Sequence, residues 1–269
     1  MKKWLLGLPL VLISVFIWLP LWMLISGTFM GGAELSENLA PVLEGRGGTA
    51  VWPVMARYPT LAAYVELLLD TPQFFTVFWN SCRQVFPIIL GHVLLGAPAA
   101  WAFAKFHFRG KKILYTLYIV LMLMPFQVTM VSSYLVLNKL GLIDTVWAVI
   151  LPGAASTLPV FIMTRFFMAV DGASSFQTFL RFGLPLGAPG ILSAVVLGFL
   201  EYWNAIEAPQ AFLKNQALWP LSLYMSNITA DNAGVSLIAS LITLMPPLLI
   251  FLSGQKYLEQ GIISSGMKD

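Results

Sequence analysis

Six stretches of this chain, at 4–26, 84–104, 113–137, 145–167, 190–208 and 235–254, are apolar over the roughly 20 residues that a helix needs to cross a hydrocarbon core of about 30 Å. Charged residues make up only 10% of the 269 positions, against 58% hydrophobic ones. A soluble domain of this length could not cover its surface with so few charges. The expected fold class is therefore an all-α membrane protein with six transmembrane helices. The first stretch follows Lys2-Lys3, as a signal peptide would. Its apolar run is too long for a signal h-region and no small-x-small cleavage site follows it, so it reads as an uncleaved first span.

Loop charges set the orientation. Lys2 and Lys3 flank the first span, Lys105, Arg109, Lys111 and Lys112 crowd the turn after the second, and Arg165 and Arg181 flank the loop after the fourth. Lys256 and Lys268 follow the sixth. By an even-span count these ten of the 15 basic residues share one side. The other side holds most of the acidic residues, including Glu34, Glu37, Glu66, Asp70 and Asp144. Both termini are thus expected to be cytoplasmic. The chain divides into a first helix at 1–26, an extracytoplasmic loop at 27–75 and a five-helix core at 76–269. The long loop carries Gly-Gly pairs and Pro41, Pro53, Pro59 and Pro72, and reads as irregular structure with short helices such as 61–69. The single cysteine, Cys82, reads as a small buried side chain.

The segment 168–190, MAVDGASSFQTFLRFGLPLGAPG, interrupts the apolar runs on the cytoplasmic side. Ser174-Ser175-Phe176-Gln177 has the form of a helix start with a capping box. Phe176, Phe179, Leu180 and Gly183 recur at helical spacing, which predicts one apolar face. Pro185 and Pro189 are expected to stop that helix, with Gly183, Gly187 and Gly190 permitting tight turns. Such a helix either lies against its own bundle or is a knob offered to a soluble partner.

Gly172, nine residues, then Phe182-x-Leu184-Pro185 resembles the cytoplasmic signature of ABC-importer permeases. Other motifs agree in order: Asn80-Ser81 opening the second span, Ala102-Phe103-Ala104-Lys105-Phe106 closing it, and Met124-Pro125-x-Gln127-Val128 breaking the third. Leu140-Gly141-Leu142-x-Asp144 follows, then Arg165-Phe166-Phe167, Asp171-Gly172-Ala173-Ser174, Trp203-Asn204 and a Gln255-Lys256-Tyr257 tail. Together they look like the second permease subunit of maltose-type carbohydrate importers. The resemblance implies a type I ABC-importer permease in the bacterial cell membrane, working with a second permease, a cytoplasmic ATPase dimer and an extracytoplasmic solute-binding protein. It also implies that ATP and magnesium are bound by the ATPase and that this chain is no enzyme. It assigns ATPase coupling to Asp171, Gly172, Ala173, Ser174, Phe176, Phe179, Arg181, Leu184 and Pro185. One departure stands out. The family has about thirteen residues between the Phe-Phe and the Asp-Gly-Ala, including its namesake Glu-Ala-Ala, where this chain has only Met168-Ala169-Val170. Ten residues of helix span about 15 Å, nearly three turns. Either the coupling element is abbreviated, or the sequence lacks residues of a longer protein.

Glu201 lies within the fifth apolar stretch, near mid-membrane by residue count. Carboxylates there usually face a cavity or a partner. Either Glu201, Tyr202, Trp203 and Asn204 line a translocation path and bond sugar hydroxyls, or Glu201 is paired in the bundle and its neighbours pack. Arg83 sits at the outer boundary of the second span, where it snorkels or pairs with Glu201 or Glu207. The loop 210–233 is either a plain connector or a contact for the binding protein. No nucleotide-binding Gly-rich loop with Lys, no metal-ligand set, no nucleophile elbow and no nucleic-acid signature is visible. The rival reading is a standalone secondary transporter or another polytopic protein without an ATPase. A secondary transporter would need several buried ionisable groups.

Overall fold

Away from water, every backbone N–H and C=O must find a partner within the chain, and a helix supplies one residue by residue. The computed structural model describes residues 2–43, 47–170, 176–225 and 232–266, and these form helices and turns with no strand among them. Four helices are long and apolar enough to cross a membrane: Pro9–Gly27, Pro72–Lys105, Trp147–Met168 and Ala233–Glu259. Two bent pairs, Lys111–Leu123 with Phe126–Lys139 and Phe179–Leu186 with Ala188–Trp203, make six when each is one span.

Both breaks have local causes. In the third span Met124 and Pro125 are extended, with ψ of 127° and 147°. Proline disfavours helical backbone at the preceding residue, and the two halves meet at 108°. In the fifth span the halves meet at 62° around Gly187. Here the two prolines act differently. Pro185 sits one residue before Leu186, where the helical run from Phe176 ends, while Pro189 occupies the first turn of Ala188–Trp203, where a missing N–H costs nothing, so it starts a helix. Gly183 and Gly187 keep ordinary helical φ, −59° and −84°. They and Gly190 serve close packing. A Cβ on Gly183 would sit 2.8 Å from Trp101, one on Gly190 2.5 Å from Phe166, and one on Gly187 2.2 Å from Phe167.

The chain forms two compact units, Met1–Thr76 with Tyr224–Met245, and Val77–Leu223 with Pro246–Asp269. In the first, the loop after the first helix is more helical than its glycines and prolines suggest. Gly32–Leu43 is a 12-residue helix with Glu34 in its first turn, where the carboxylate suits the helix dipole. Its Leu35 and Leu39 pack with Met30, Trp52, Ala56, Ala233 and Leu237. Hydrogen bonds pin the loop to the first helix: Trp52 Nε1 donates to Ser26 Oγ (3.2 Å), Tyr64 Oη to Thr28 Oγ1 (2.8 Å) and Trp22 Nε1 to the Val54 carbonyl (3.0 Å).

In the second unit, small residues let the spans approach. A Cβ on Gly91 would lie 2.5 Å from that of Ala154. Gly198 abuts the His92 ring, and Gly254 abuts Val196. The second span widens into a π-helical turn at His92–Gly96. There the buried His92 bonds the Gly153 carbonyl of the fourth span through Nε2 (2.9 Å). Ser193 Oγ donates to the carbonyls of Pro189 (2.8 Å) and Tyr257 (2.9 Å), joining the fifth and sixth spans.

Candidate functional site

Asp171, Gly172, Ala173 and Ser174, expected to couple to an ATPase, lie outside the described residues, as does the Phe176 side chain. The rest of the segment is described. Phe176–Thr178 is helical and runs into a π-helical turn at Phe179–Gly183. That wider turn changes the expected apolar face. Phe179 and Gly183 are buried, but Leu180 swings out to 50% exposure, beside Phe182 at 57% and Leu186 at 60%. Arg181 and Pro185 are exposed, and Leu184 is half-buried.

What the buried side meets is an aromatic cluster. Trp101, Phe167 and Phe179 come from the second span, the fourth span and this segment. Ring centroids are 5.4 Å apart for Trp101–Phe167, 5.6 Å for Trp101–Phe179 and 6.1 Å for Phe167–Phe179. Lys105, one helical turn past Trp101, lies 5.9 Å from the Trp101 ring centroid and donates a hydrogen bond to the Val170 carbonyl, immediately before Asp171. Leu184 packs against the same cluster. Close-packed rings have no slack. The segment 176–186 thus packs directly against the second and fourth spans through these rings. Trp101 and Lys105 were not singled out from sequence as a pair. Their i, i+4 spacing puts them on one helix face, but nothing in the sequence says that Val170 and Phe179 meet that face.

The four residues expected to line a path separate. Trp203 is buried, stacked on Phe199 (5.3 Å, 16°) and edge-on to Phe78 (5.8 Å). Tyr202 is half-buried, its ring 5.5 Å from His92. Glu201 and Asn204 are exposed. The fifth helix ends at Trp203, so Glu201 lies in its last turn and not at the middle of a longer span. Asn204 Nδ2 donates back to the Leu200 carbonyl (2.8 Å), which takes up one of the helix's terminal acceptors. Beyond it, Glu207 Oε1 accepts from Gln127 Nε2 (2.6 Å), at the start of the second half of the bent third span. Among the described residues no group of three or more His, Cys, Asp or Glu could hold a metal ion.

These bent and closely packed apolar helices are those of a multi-pass membrane protein. No protein-family model matches the chain. A probable ABC transporter permease of Pyrococcus horikoshii is 30% identical over 200 residues, covering 68% of this chain and 72% of that protein. The arabinooligosaccharides transport system permease protein AraQ of Halalkalibacterium halodurans is 24% identical over 279 residues, covering 99% of this chain and 96% of the relative. LplC of Bacillus subtilis is 27% identical over 280 residues, covering 93% and 89%. A chain of a bacterial ABC transporter involved in the import of the acidic polysaccharide alginate has the same fold. Its TM-score is 0.77 at 17% identity, with 95% of this chain and 96% of that one covered. The chain belongs to the permease family of ABC transporters.

Proposed function

We propose that this chain is one of two permease subunits of an importer that carries carbohydrate across a bacterial cell membrane, with both termini cytoplasmic. A second permease completes the path, a pair of cytoplasmic ATPase subunits drives it, and an extracytoplasmic solute-binding protein delivers the sugar. ATP and magnesium belong to the ATPases, and this chain contributes no catalysis. The observation that carries the reading is the end-to-end likeness to a permease named for arabinooligosaccharide transport, over 99% of this chain. The inner cluster supports the mechanism. Closure of the ATPases on ATP would draw on 171–186. Phe179, Leu184 and Lys105 would hand that movement to the second and fourth spans through Trp101 and Phe167. The exposed Leu180, Arg181, Phe182 and Leu186 are the surface this segment offers to an ATPase. Glu201 and Asn204, both exposed, offer polar groups to sugar hydroxyls along the path; Tyr202 and Trp203 support them from behind.

Affinity purification of the chain from its native membrane, followed by mass spectrometry, tests this. An ABC ATPase and a second permease in the eluate are expected. An intact, folded chain that emerges without them would favour a standalone transporter. Trypsin should release residues 166–181 as the single peptide FFMAVDGASSFQTFLR. A longer peptide there would mean that the coupling segment is not shortened.

A further inference from the structure

The turn between the second and third spans, residues 105–112, reads KFHFRGKK, and no acidic residue occurs between Asp70 and Asp144. Its backbone is held from within. The Phe106 N–H donates to the Ala102 carbonyl (3.0 Å) and the Lys111 N–H to that of Phe108 (3.3 Å). Gly110 makes the corner at a φ of 83°, which glycine adopts without strain. The Phe108 ring lies 6.2 Å from Phe103, which in turn packs on Tyr115 (5.4 Å) and Tyr118 (5.3 Å) of the third span.

Two of the turn's cations help to hold it. Lys105 donates to the Val170 carbonyl, and Lys111 Nζ to that of Phe106 (3.0 Å). His107, Arg109 and Lys112 are exposed, with no hydrogen bond or ion pair among the described residues. The fourth span adds Arg165, exposed and 5.9 Å from the centre of the Phe161 ring, which stacks on Tyr115 (6.4 Å, 20°). Apolar side chains flank these charges. Phe106 and Phe108 are 37% and 40% exposed, and Ile113, Leu114 and Leu117 begin an open apolar face of the third span. An open apolar helix face that runs straight into rings and unpaired cations matches the level at which acyl chains give way to headgroups.

We propose that the turn 105–112, with Arg165, binds the headgroup of an anionic phospholipid. Arg109 and Lys112 hold the phosphate, and Phe106 and Phe108 seat beside the glycerol and the upper acyl chain. A soluble anion has no use for the apolar face beside the cations; a lipid fills both. The site needs only that the chain spans a membrane, and is independent of what drives transport and of what is carried.

The test reads which lipid stands beside the turn. A fluorophore is attached at Thr116→Cys, an exposed position one helical turn beyond Lys112; the native Cys82 is buried and escapes labelling. The full chain, purified with whatever subunits accompany it, is placed in phosphatidylcholine vesicles. Nitroxide-labelled phosphatidylglycerol or nitroxide-labelled phosphatidylcholine is then titrated in as quencher. A cation near an anionic headgroup is worth roughly fivefold in association, so half-quenching should need about fivefold less phosphatidylglycerol than phosphatidylcholine. Arg109→Gln with Lys112→Gln should remove that difference. Lys139→Gln with Lys214→Gln, which takes the same charge from exposed positions elsewhere, should leave it intact. Unchanged quenching by phosphatidylcholine shows that the variants keep their fold. Equal quenching by the two lipids in the parent protein, or a preference that survives Arg109→Gln with Lys112→Gln, overturns the proposal. So does the absence of quenching by either lipid, which would mean that a protein surface covers the turn.

Discussion

Gly91 and Ala154 show what a single methyl group decides here. A Cβ at Gly91 would stand 2.5 Å from the Ala154 Cβ and 3.1 Å from its Cα, and neither atom is the end of a flexible side chain that could turn away. The second and fourth spans would have to separate. Overpacking of this kind costs about 1–3 kcal/mol. Gly91→Ala is expected to lower the melting temperature of the purified protein in detergent. Gly7→Ala, with nothing within 4 Å of the added atom, should leave it unchanged or slightly raised. The sequence shows both glycines on apolar helices and gives no means of telling them apart, because the difference lies in which residue arrives from 63 positions away. His92 is similar. Its Nε2 bond to Gly153 and the packing of Gly198 against its ring are long-range facts, invisible in a lone histidine within an apolar run.

At the level of elements, the sequence was legible where the rule is local. Apolar length marked all six spans, and Met124-Pro125 marked the break in the third. It misled where one residue type has two uses. Pro189 was expected to end a helix and instead lies in the first turn of one, while Pro185 does sit at a helix end, because the register relative to the helix start decides between these roles. Gly31-Gly32 and Pro41 hid the helix Gly32–Leu43, whose stability comes from Leu35 and Leu39 packing against distant partners. The sequence marks the segment 168–190 by its spacing to Leu184-Pro185, but not the aromatic cluster it packs against. That cluster predicts the behaviour of the second span's last residue. Lys105 is the sole charged group joining that span to the Val170 carbonyl among the described residues, and a charge-assisted bond of this type contributes about 1.5–3 kcal/mol. Lys105→Met keeps the aliphatic stem over Trp101 and removes the donor. Amide hydrogen exchange over 166–170 should then quicken by about tenfold or more, while exchange in the first helix stays the same. Equal rates in the two proteins would mean that the bond holds nothing in place.

For the whole molecule the question is where the energy for transport enters. A carrier driven by protons or sodium carries ionisable groups inside its bundle, where their charge can be exchanged during the cycle. The buried polar side chains among the described residues are serines, threonines, asparagines, a glutamine and His92, with no buried carboxylate, lysine or arginine. Glu201, the one acidic residue that the sequence placed deep in a span, is exposed in the last turn of its helix. What the fold does contain is two spans and the segment 176–186 packed together through Trp101, Phe167 and Phe179, with apolar side chains left exposed on the segment's other side. On the proposed function, an external motor pulls on that segment. Uptake of labelled carbohydrate by cells should then survive an uncoupler for as long as ATP is maintained. It should fall to background when the nucleotide-binding lysine of the co-purified ATPase is replaced, and likewise with Phe182→Asp in this chain, which puts a charge on the exposed apolar surface. Uptake that collapses with the uncoupler and persists without the ATPase would place the energy in an ion gradient. The buried groups that couple to it would then have to lie in a partner chain or outside the described residues.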